Sequence, residues 1–318
     1  MSGNIVHIAF SDFQRATAQE AAADFIIFKQ AAGNSALTID DYRWTLTHLF
    51  TRYPKAWSSP AAMREAFLSW INKPIAPATY NQRLSYVRAF WRWCVEERIQ
   101  PPDPDPFRGL KRRNDPGRFR DIDAAKVKEL LALPDRSTWA GLRDYALILF
   151  TLDTAARPGE ALQLLPADFN FSSLAAVIPA HAAKTREERI IPFSATTAAA
   201  LRQLLRLRLS EWGESTPLFC TETGVRFNVD AWGRRLKRHE LRDGTTFKPY
   251  DLRHAACTLH LRAGMSGEVL QRLMGHHGPQ MTQRYIHLTT DDLRKEQSFS
   301  SPVELLASAR KRAPRRIK

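Results

Sequence analysis

The chain has 318 residues, 44% of them hydrophobic, which is enough for two domains with ordinary cores. Its formal net charge of +14 favours a polyanionic partner, nucleic acid first and an anionic membrane second. The three cysteines show no disulfide or metal-site spacing, and we find neither a secretory signal nor an apolar run of membrane-spanning length, so we expect a cytoplasmic protein that contacts no membrane.

The first part of the chain is predicted to be an irregular arm over residues 1–17 and a helical domain over residues 18–100. Apolar residues recur there at steps of three and four, the period of an amphipathic helix. Thr38 is predicted to cap the second helix, with an acidic residue three positions on. Ser59 and Pro60 are predicted to begin the third.

The fourth predicted helix, about residues 79–98, combines an apolar stripe with basic and amide side chains. Such a helix can lie in a major groove, with its arginines on phosphates and its amides near base edges. The alternative is a solvated basic face. The candidate DNA-binding residues are Asn81, Gln82, Arg83, Arg88 and Arg92.

Residues 101–121 are predicted to be a linker. Four prolines within residues 101–106 exclude a helix interior and indicate a stiff, extended segment at a domain boundary. The basic run that follows, residues 107–113, would suit a linker that crosses a DNA backbone. Two domains joined in this way could close around a duplex like a clamp.

The second domain is predicted over residues 122–295, with helices near 139–152 and 195–213. Apolar, β-prone runs within residues 174–193 predict two strands around a polar turn. Another basic helix, about residues 230–240, is a second candidate DNA-binding face. Its candidate residues are Arg234, Arg235, Lys237 and Arg238.

Four side chains of this domain have a chemical use on a phosphodiester. Arg157 precedes a Pro-Gly break, where an arginine can point at a ligand from a fixed backbone. Arg253 offers a permanently charged fork of donors that matches phosphate oxygens. His276 can donate a hydrogen bond or move a proton near neutral pH. Tyr285 carries a hydroxyl that can attack phosphorus and form a covalent intermediate.

The pattern Tyr250-Asp-Leu-Arg253-His254, then Leu273-Met-Gly-His276, then Tyr285 resembles the active-site signature of the tyrosine recombinases, the phage integrase and Xer-like family. That signature runs His-x-Leu-Arg-His, then Leu-Gly-His, then the nucleophilic tyrosine. Arg157 and Glu160 match the family's first arginine motif, Arg-x-x-Glu, in which we interpret the glutamate as structural. Lys184 matches the catalytic lysine at the tip of the family's β-hairpin.

The resemblance implies a mainly α fold with a small β-sheet. It implies an N-terminal helical, SAM-like core-binding domain and a C-terminal mixed α/β catalytic domain that clamp DNA. It also implies site-specific recombination through a 3′-phosphotyrosine, with no metal, ATP or other cofactor. The catalytic residues would be Arg157, Lys184, Tyr250, Arg253, His276 and Tyr285, the last as nucleophile.

The implied partners are double-stranded DNA, further copies of this chain and accessory proteins. We expect a dimer on one site and a homotetramer on paired sites, in the cytoplasm and associated with the nucleoid. Residues 296–318 would include a segment that docks on a neighbouring protomer and a basic tail. The first helical domain begins near residue 18, so no separate arm-binding domain is expected, which favours an Xer-like or transposon recombinase.

Tyr250 departs from the family pattern, because a histidine stands there in the signature. A phenol with an ordinary pKa near 10 is a poor base at neutral pH, although it can donate a hydrogen bond to phosphate. Two alternatives therefore stay open: a type IB topoisomerase with the same chemistry, and a DNA-binding relative with weakened catalysis. Integration, excision and dimer resolution also stay open.

Overall fold

The computed structural model describes residues 16–115, 122–183 and 186–275. The chain divides into two compact units, Met1–Arg118 and Phe119–Lys318. Both are mainly helical, and the second also contains a three-stranded sheet. Across these described ranges, no helix is both long and apolar enough to span a membrane.

Four α-helices are described in the first unit, with one 3-10 turn, Pro54–Trp57, between the second and third. Polar side chains cap the first three, as short hydroxyls do when they accept a first-turn N–H. Ser35, rather than the predicted Thr38, caps the second helix: its Oγ accepts the N–H of Thr38 at 3.3 Å, so the helix begins three residues earlier. The helices are α1 (Ala18–Ala31), α2 (Ala36–Arg52), α3 (Pro60–Ile71) and α4 (Pro77–Glu96).

The core of the first unit is aromatic and centres on α4. Phe90 of α4 is fully buried, and its ring centroid lies 5.4 Å from that of Phe25 and 5.8 Å from that of Trp57. The apolar stripe predicted for this helix is buried along its length. One face of α4 therefore packs in the core, and its basic side chains lie outside that apolar stripe.

The segment after the prolines packs against α3 and α4. Phe107 is 1% exposed and meets Phe67 edge-on at 5.4 Å. Arg88 of α4 donates through Nη2 to the carbonyls of Phe107 (2.8 Å) and Leu110 (2.5 Å). We call residues 106–113 the strap. This stretch, predicted to be part of an extended linker, is held to the first unit by side chains.

Seven α-helices are described in the second unit, and its sheet has the order β1-β2-β3 with antiparallel pairing throughout. The helix predicted over 195–213 ends at Arg206, because Arg208 turns back and donates to the carbonyls of Gly213 and Thr216. The elements are α5 (Ala124–Ala132), α6 (Trp139–Thr154), α7 (Pro158–Ala161), β1 (Phe169–Asn170), β2 (Ala175–Ile178), β3 (Arg189–Pro192), α8 (Ala195–Arg206), α9 (Val229–Arg238), α10 (Pro249–Arg262) and α11 (Gly267–Met274).

Helix α6 lies at the centre of the second core. Ala146, Leu147 and Phe150 are fully buried, and the helix also contacts α8 and α10. It ends at Ala155, which adopts a left-handed conformation with φ 50°. The side chain of Thr154 accepts the N–H of Ala156 at 3.2 Å and fixes the turn that follows. The chain therefore leaves α6 in a defined direction two residues before Arg157.

Candidate active site

Arg157 stands between α6 and the short helix α7, as its N-cap residue. Pro158 occupies the first helical position, which suits its fixed φ and missing N–H. The carboxylate of Glu160 accepts the backbone N–H of Arg157 at 3.2 Å and its guanidinium at 3.0 Å. One acidic side chain thus fixes both the backbone and the charged end of this arginine.

Arg253 approaches the same turn from α10 and is only 4% exposed. Its Nη1 donates to the carbonyl of Ala155, and its Nη2 donates to the carbonyl of Met274 at 3.1 Å. A buried guanidinium needs such partners, because leaving it without them is costly. Arg253 therefore connects the turn that carries Arg157 to the end of α11.

Helix α11 ends at Gly275, which takes the left-handed C-cap conformation with φ 62°. Arg157 donates through Nη2 to the carbonyl of Gly275 at 3.1 Å. The two arginines thus bind consecutive carbonyls, those of Met274 and Gly275. The motif segments around residues 157, 253 and 275 come together in space, directly before His276.

Glu160 has a second basic partner, which was not among the residues predicted from the sequence. Arg189, the first residue of β3, places Nη2 2.5 Å from Oε2 and Nη1 3.3 Å from Oε1 of the Glu160 carboxylate. Strand alternation carried the signal, because Arg189 shares a face with the buried Ile191 while Ile190 between them is 69% exposed. An arginine on the inward face of a strand needs a buried partner.

Two further motif residues lie on the first turns of α10. Tyr250 is 51% exposed, so its phenol is available to a ligand. Burial lowers the pKa of His254, Asp251 raises it, and the charge of Arg253 lowers it further; the net pKa is below the ordinary value of 6.5. The neutral imidazole of His254 is therefore favoured at pH 7, as suits a supporting residue beside Arg253.

Three predicted catalytic residues, Lys184, His276 and Tyr285, lie outside the described residues. The hairpin predicted to carry Lys184 is present, because β2 and β3 pair antiparallel with Ile178 opposite Arg189. The predicted segment 296–318 and most of the predicted arm 1–17 also lie outside the described residues.

The candidate DNA-binding residues of α4 divide into two groups. Asn81 is buried and forms two hydrogen bonds with the backbone of Arg113, at 2.8 and 2.9 Å. Arg83 stacks on Trp70, with its guanidinium carbon 4.2 Å from the ring centroid, and Arg88 holds the strap as described above. Gln82 and Arg92 are exposed. Of the five candidates, these two present their side chains outward.

Helix α9 shows the same division. Arg235 forms an ion pair with the fully buried Asp144 at 2.6 Å, which Arg143 (2.7 Å) and His239 (3.3 Å) also approach. We call these four residues the Asp144 cluster. It anchors α9 to α6. The exposed basic residues of α9 are Arg234, Lys237 and Arg238.

The arrangement at Arg157 and Arg253 suits the recognition of an anion with several oxygens. Guanidinium groups match phosphate geometry, and their charge acts strongly where water is excluded. Within the described ranges, no three His, Cys, Asp or Glu side chains gather as a metal site. The absence of a metal or other cofactor stays a prediction.

Comparison with known proteins identifies the family. A family model described as "Phage integrase family" matches residues 120–291, more than half of the chain. The chain belongs to the phage integrase family of tyrosine recombinases. It is 30% identical to tyrosine recombinase XerD of Ralstonia nicotianae over 223 residues, which is 68% of this chain and 71% of the relative.

Two further similarities extend across both units. The chain is 28% identical to tyrosine recombinase XerA of Saccharolobus solfataricus over 276 residues, covering 87% of this chain and 82% of the relative. A Tn1549 transposon integrase, solved with a circular intermediate DNA, shares the fold with a TM-score of 0.67 and 17% identity, over 89% of this chain and 99% of that one. The predicted family, fold class and enzyme class are thereby confirmed.

Proposed function

We propose that this recombinase cuts and rejoins double-stranded DNA at specific sites through a 3′-phosphotyrosyl bond to Tyr285. Convergence of Arg157 and Arg253 on the carbonyls of Met274 and Gly275 is the observation that supports the site most directly. It brings two motif arginines, far apart in sequence, to the two residues that precede His276. Double-stranded DNA as the partner is supported by family membership and by the net charge of +14.

In this proposal the two arginines stabilise the negative charge that develops on the phosphate oxygens. Attack on a phosphodiester places negative charge on the two nonbridging oxygens, which Arg157 and Arg253 would clamp. Removing one preorganised donor of this kind typically costs about 3–4 kcal/mol of barrier. Because two guanidiniums supply the positive charge, the chemistry requires no metal ion. His276 would hydrogen-bond the same phosphate.

The proton and bond changes balance without a co-reactant. The phenol oxygen of Tyr285 forms a bond to phosphorus as its proton passes to solvent water, and the bond to the 5′ oxygen breaks. Lys184 would protonate that 5′ oxygen. The phosphotyrosine retains the energy of the broken bond, so a 5′-hydroxyl of another strand can attack it, release Tyr285 and rejoin the DNA.

Tyr250 takes a secondary role in this scheme. Its position three residues before Arg253 and its exposed phenol support a hydrogen bond to phosphate. The pKa of an ordinary phenol is too high for efficient proton removal at neutral pH. We therefore assign Tyr250 to phosphate binding rather than to activation of Tyr285.

On DNA, we propose a dimer on one site and a homotetramer on paired sites, assisted by accessory proteins. Two units joined through the segment after the strap would clamp the duplex. The outward basic residues of α4 and α9 would then contact its backbone. Residues 296–318 would dock on a neighbouring protomer, and the protein would act at the nucleoid in the cytoplasm.

Of the two alternatives, topoisomerase-like relaxation is not favoured, because the named relatives are recombinases. A DNA-binding relative with weakened catalysis rests on Tyr250 alone. A topoisomerase would form the same adduct but relax supercoiled DNA without exchanging strands, whereas a weakened relative would bind DNA without forming an adduct.

The proposal is tested by covalent capture. The protein is incubated in EDTA with nicked duplexes drawn from the DNA that flanks its gene, beside the Tyr285→Phe variant. We expect a denaturation-resistant adduct on a 3′ phosphate that the variant does not form. Exchange of strands between two labelled duplexes would then separate recombination from relaxation of a supercoiled plasmid.

Binding without an adduct on any of these duplexes would favour the weakened relative. An adduct that persists in Tyr285→Phe would identify a different nucleophile. An adduct that appears only after a divalent metal is added would contradict the metal-free scheme.

A further inference from the structure

We propose that Arg189 is a positioning residue for strand cleavage, acting through the buried Glu160 on Arg157. This inference deepens the proposed function and rests on it. Arg189 belongs to no motif that singled out the other site residues. Its role follows from three observations: the Glu160 carboxylate that it shares with Arg157, the charge balance of the three side chains, and its packing against the end of α11.

The first contact is a carboxylate shared by two arginines. Arg157 approaches Oε1 of Glu160 at 3.0 Å, while Arg189 approaches Oε2 at 2.5 Å and Oε1 at 3.3 Å. Glu160 is 2% exposed. A buried carboxylate depends on its partners, because removing one takes both an opposite charge and hydrogen bonds away from it. Arg189 therefore stabilises the carboxylate that orients Arg157.

Charge balance gives the second reason for Arg189. A lone Glu160 beside Arg157 would cancel the positive charge that the scissile phosphate needs. With Arg189 the three side chains carry a net charge of +1. In a site with little water, one additional positive charge strongly increases the attraction for an anion. Arg189 thus lets Glu160 fix the geometry of Arg157 without neutralising the site.

The third observation is the close packing of Arg189 against Gly275. A Cβ built on Gly275 would lie 3.1 Å from Nε and 3.2 Å from Cζ of Arg189. The Nε of Arg189 is buried and has no hydrogen-bond partner among the described residues. Arg189 therefore supports the α11 end whose last carbonyl binds Arg157.

Arg189 is also the first residue of β3, five positions after Lys184. It could in principle act on the hairpin lysine instead of on Arg157. These two routes predict different substrate dependence, because Lys184 serves the leaving group and Arg157 serves the nonbridging oxygens. The experiment is built on that difference.

The test measures single-turnover formation of the Tyr285 adduct by Arg189→Gln and Arg189→Lys. Arg202→Gln is the matched control, since it removes an exposed arginine of α8 that stacks on Phe171 in the same unit. We expect Arg189→Gln to lose roughly 10- to 100-fold in cleavage rate, the scale of a misplaced catalytic group, with DNA affinity unchanged. Arg189→Lys retains the charge but not the fork and recovers part of the rate.

Two modified duplexes identify the route. A methylphosphonate at the scissile position removes one charged oxygen and lessens the need for Arg157, so the deficit of Arg189→Gln should shrink. A 5′-bridging sulfur leaves without protonation and makes Lys184 dispensable, so the deficit should persist. A deficit that disappears with the sulfur substrate and persists with the methylphosphonate would overturn the proposal in favour of the hairpin lysine.

A double-mutant cycle in thermal unfolding measures the coupling between Glu160 and Arg189 independently of catalysis. We expect Glu160→Gln and Arg189→Gln together to lower Tm by less than the sum of their separate effects. Additive shifts, or equal rate losses on all three substrates, would overturn the positioning role. If the wild type forms no adduct, the proposed function fails, while the cycle still decides whether Arg189 and Glu160 are coupled.

Discussion

Arginines bind backbone carbonyls in both units, but the segments that they fix have different roles. In the second unit, Arg157 and Arg253 bind the carbonyls of Gly275 and Met274, which lead directly to His276. In the first unit, Arg88 binds the carbonyls of Phe107 and Leu110. One set assembles the chemical site, and the other fixes the strap that leads out of its own unit.

The comparison shows that basic residues on a DNA-binding helix need not contact DNA. Asn81 and Arg88 of α4 bind backbone groups of the strap, whereas Arg92, one turn further along the helix, is exposed. Removing an inward residue should affect folding of its unit. Removing an outward one should affect the electrostatic term in DNA binding. Removing an arginine of the site should affect the chemical step.

The largest effect is expected from Arg253→Ala. Losing one preorganised donor to the scissile phosphate should slow adduct formation by about 100- to 1,000-fold, and the loss of the Met274 contact adds to it. Tyr250→Phe, which keeps the ring, should slow it only modestly. Single-turnover cleavage compares the two. Equal, near-total losses would contradict the assigned ranking, and Tm measurements separate misfolding of the Arg253 variant from loss of catalysis.

A smaller loss is expected from Gly275→Ala. A left-handed conformation costs a residue with a Cβ about 1–2 kcal/mol, and the new Cβ would crowd Arg189 at 3.1 Å. We expect cleavage to slow by about tenfold or more, because a barrier increase of about 1.36 kcal/mol has that effect. Gly264→Ala is the control: its φ is +91° and nothing lies within 4 Å of the position that its new methyl group would take. Equal cleavage rates for the two variants would contradict a role for the Arg189 contact.

The variants Asn81→Ala and Arg92→Ala compare a buried polar residue of α4 with an exposed one. Asn81→Ala removes both hydrogen bonds to Arg113 and should lower the free energy of unfolding by about 1–3 kcal/mol. Arg92→Ala should leave that energy unchanged and reduce the slope of log affinity against log salt by about 1. Denaturant unfolding and salt-dependent binding measure the two effects. Exchanged effects would reverse the roles assigned to these two residues.

The smallest effect concerns acid stability of the Asp144 cluster. Burial raises the pKa of Asp144, but its hydrogen bond with His239 and the charges of Arg143 and Arg235 outweigh burial, so the net pKa is below the ordinary 3.8. A depressed folded-state pKa stabilises the protein above pH 3.8, and this stabilisation is lost as pH falls below that value. Unfolding measured from about pH 6 to about pH 2 should show this loss, and Asp144→Asn should lack that component. If Asp144→Asn showed the same loss of stability with falling pH as the wild type, the role assigned to Asp144 would be contradicted.

The sequence predicted the parts of this molecule that local patterns determine. The resemblance of the motif around Arg157 and of the pattern from Tyr250 to Gly275 to the family signature implied that these distant segments share a site, and Arg157 and Arg253 do meet at the end of α11. The apolar stripe of α4 was predicted because its helical period depends on burial alone. The first prediction rests on family motifs and the second on a repeated spacing, so neither needs knowledge of tertiary contacts.

The roles that could not be predicted depend on which side chain faces inward. Asn81 and Arg88 flank Leu84 at helical spacing and share its face, but their polar character suggested DNA contact. Arg189 alternates with Ile190 and was included in an apolar strand. Their partners are backbone groups and a carboxylate distant in sequence, which only the folded chain brings within reach. Tertiary partners therefore decide the role of a basic residue.

The most direct test of the central claim is to locate the nucleotide on the protein. The adduct is captured in EDTA on a nicked duplex, digested with protease and nuclease, and analysed by mass spectrometry. The account predicts a 3′-linked nucleotide on Tyr285, formed by the wild type and strongly reduced in Arg253→Ala. A nucleotide on another residue, or full adduct formation by Arg253→Ala, would contradict it.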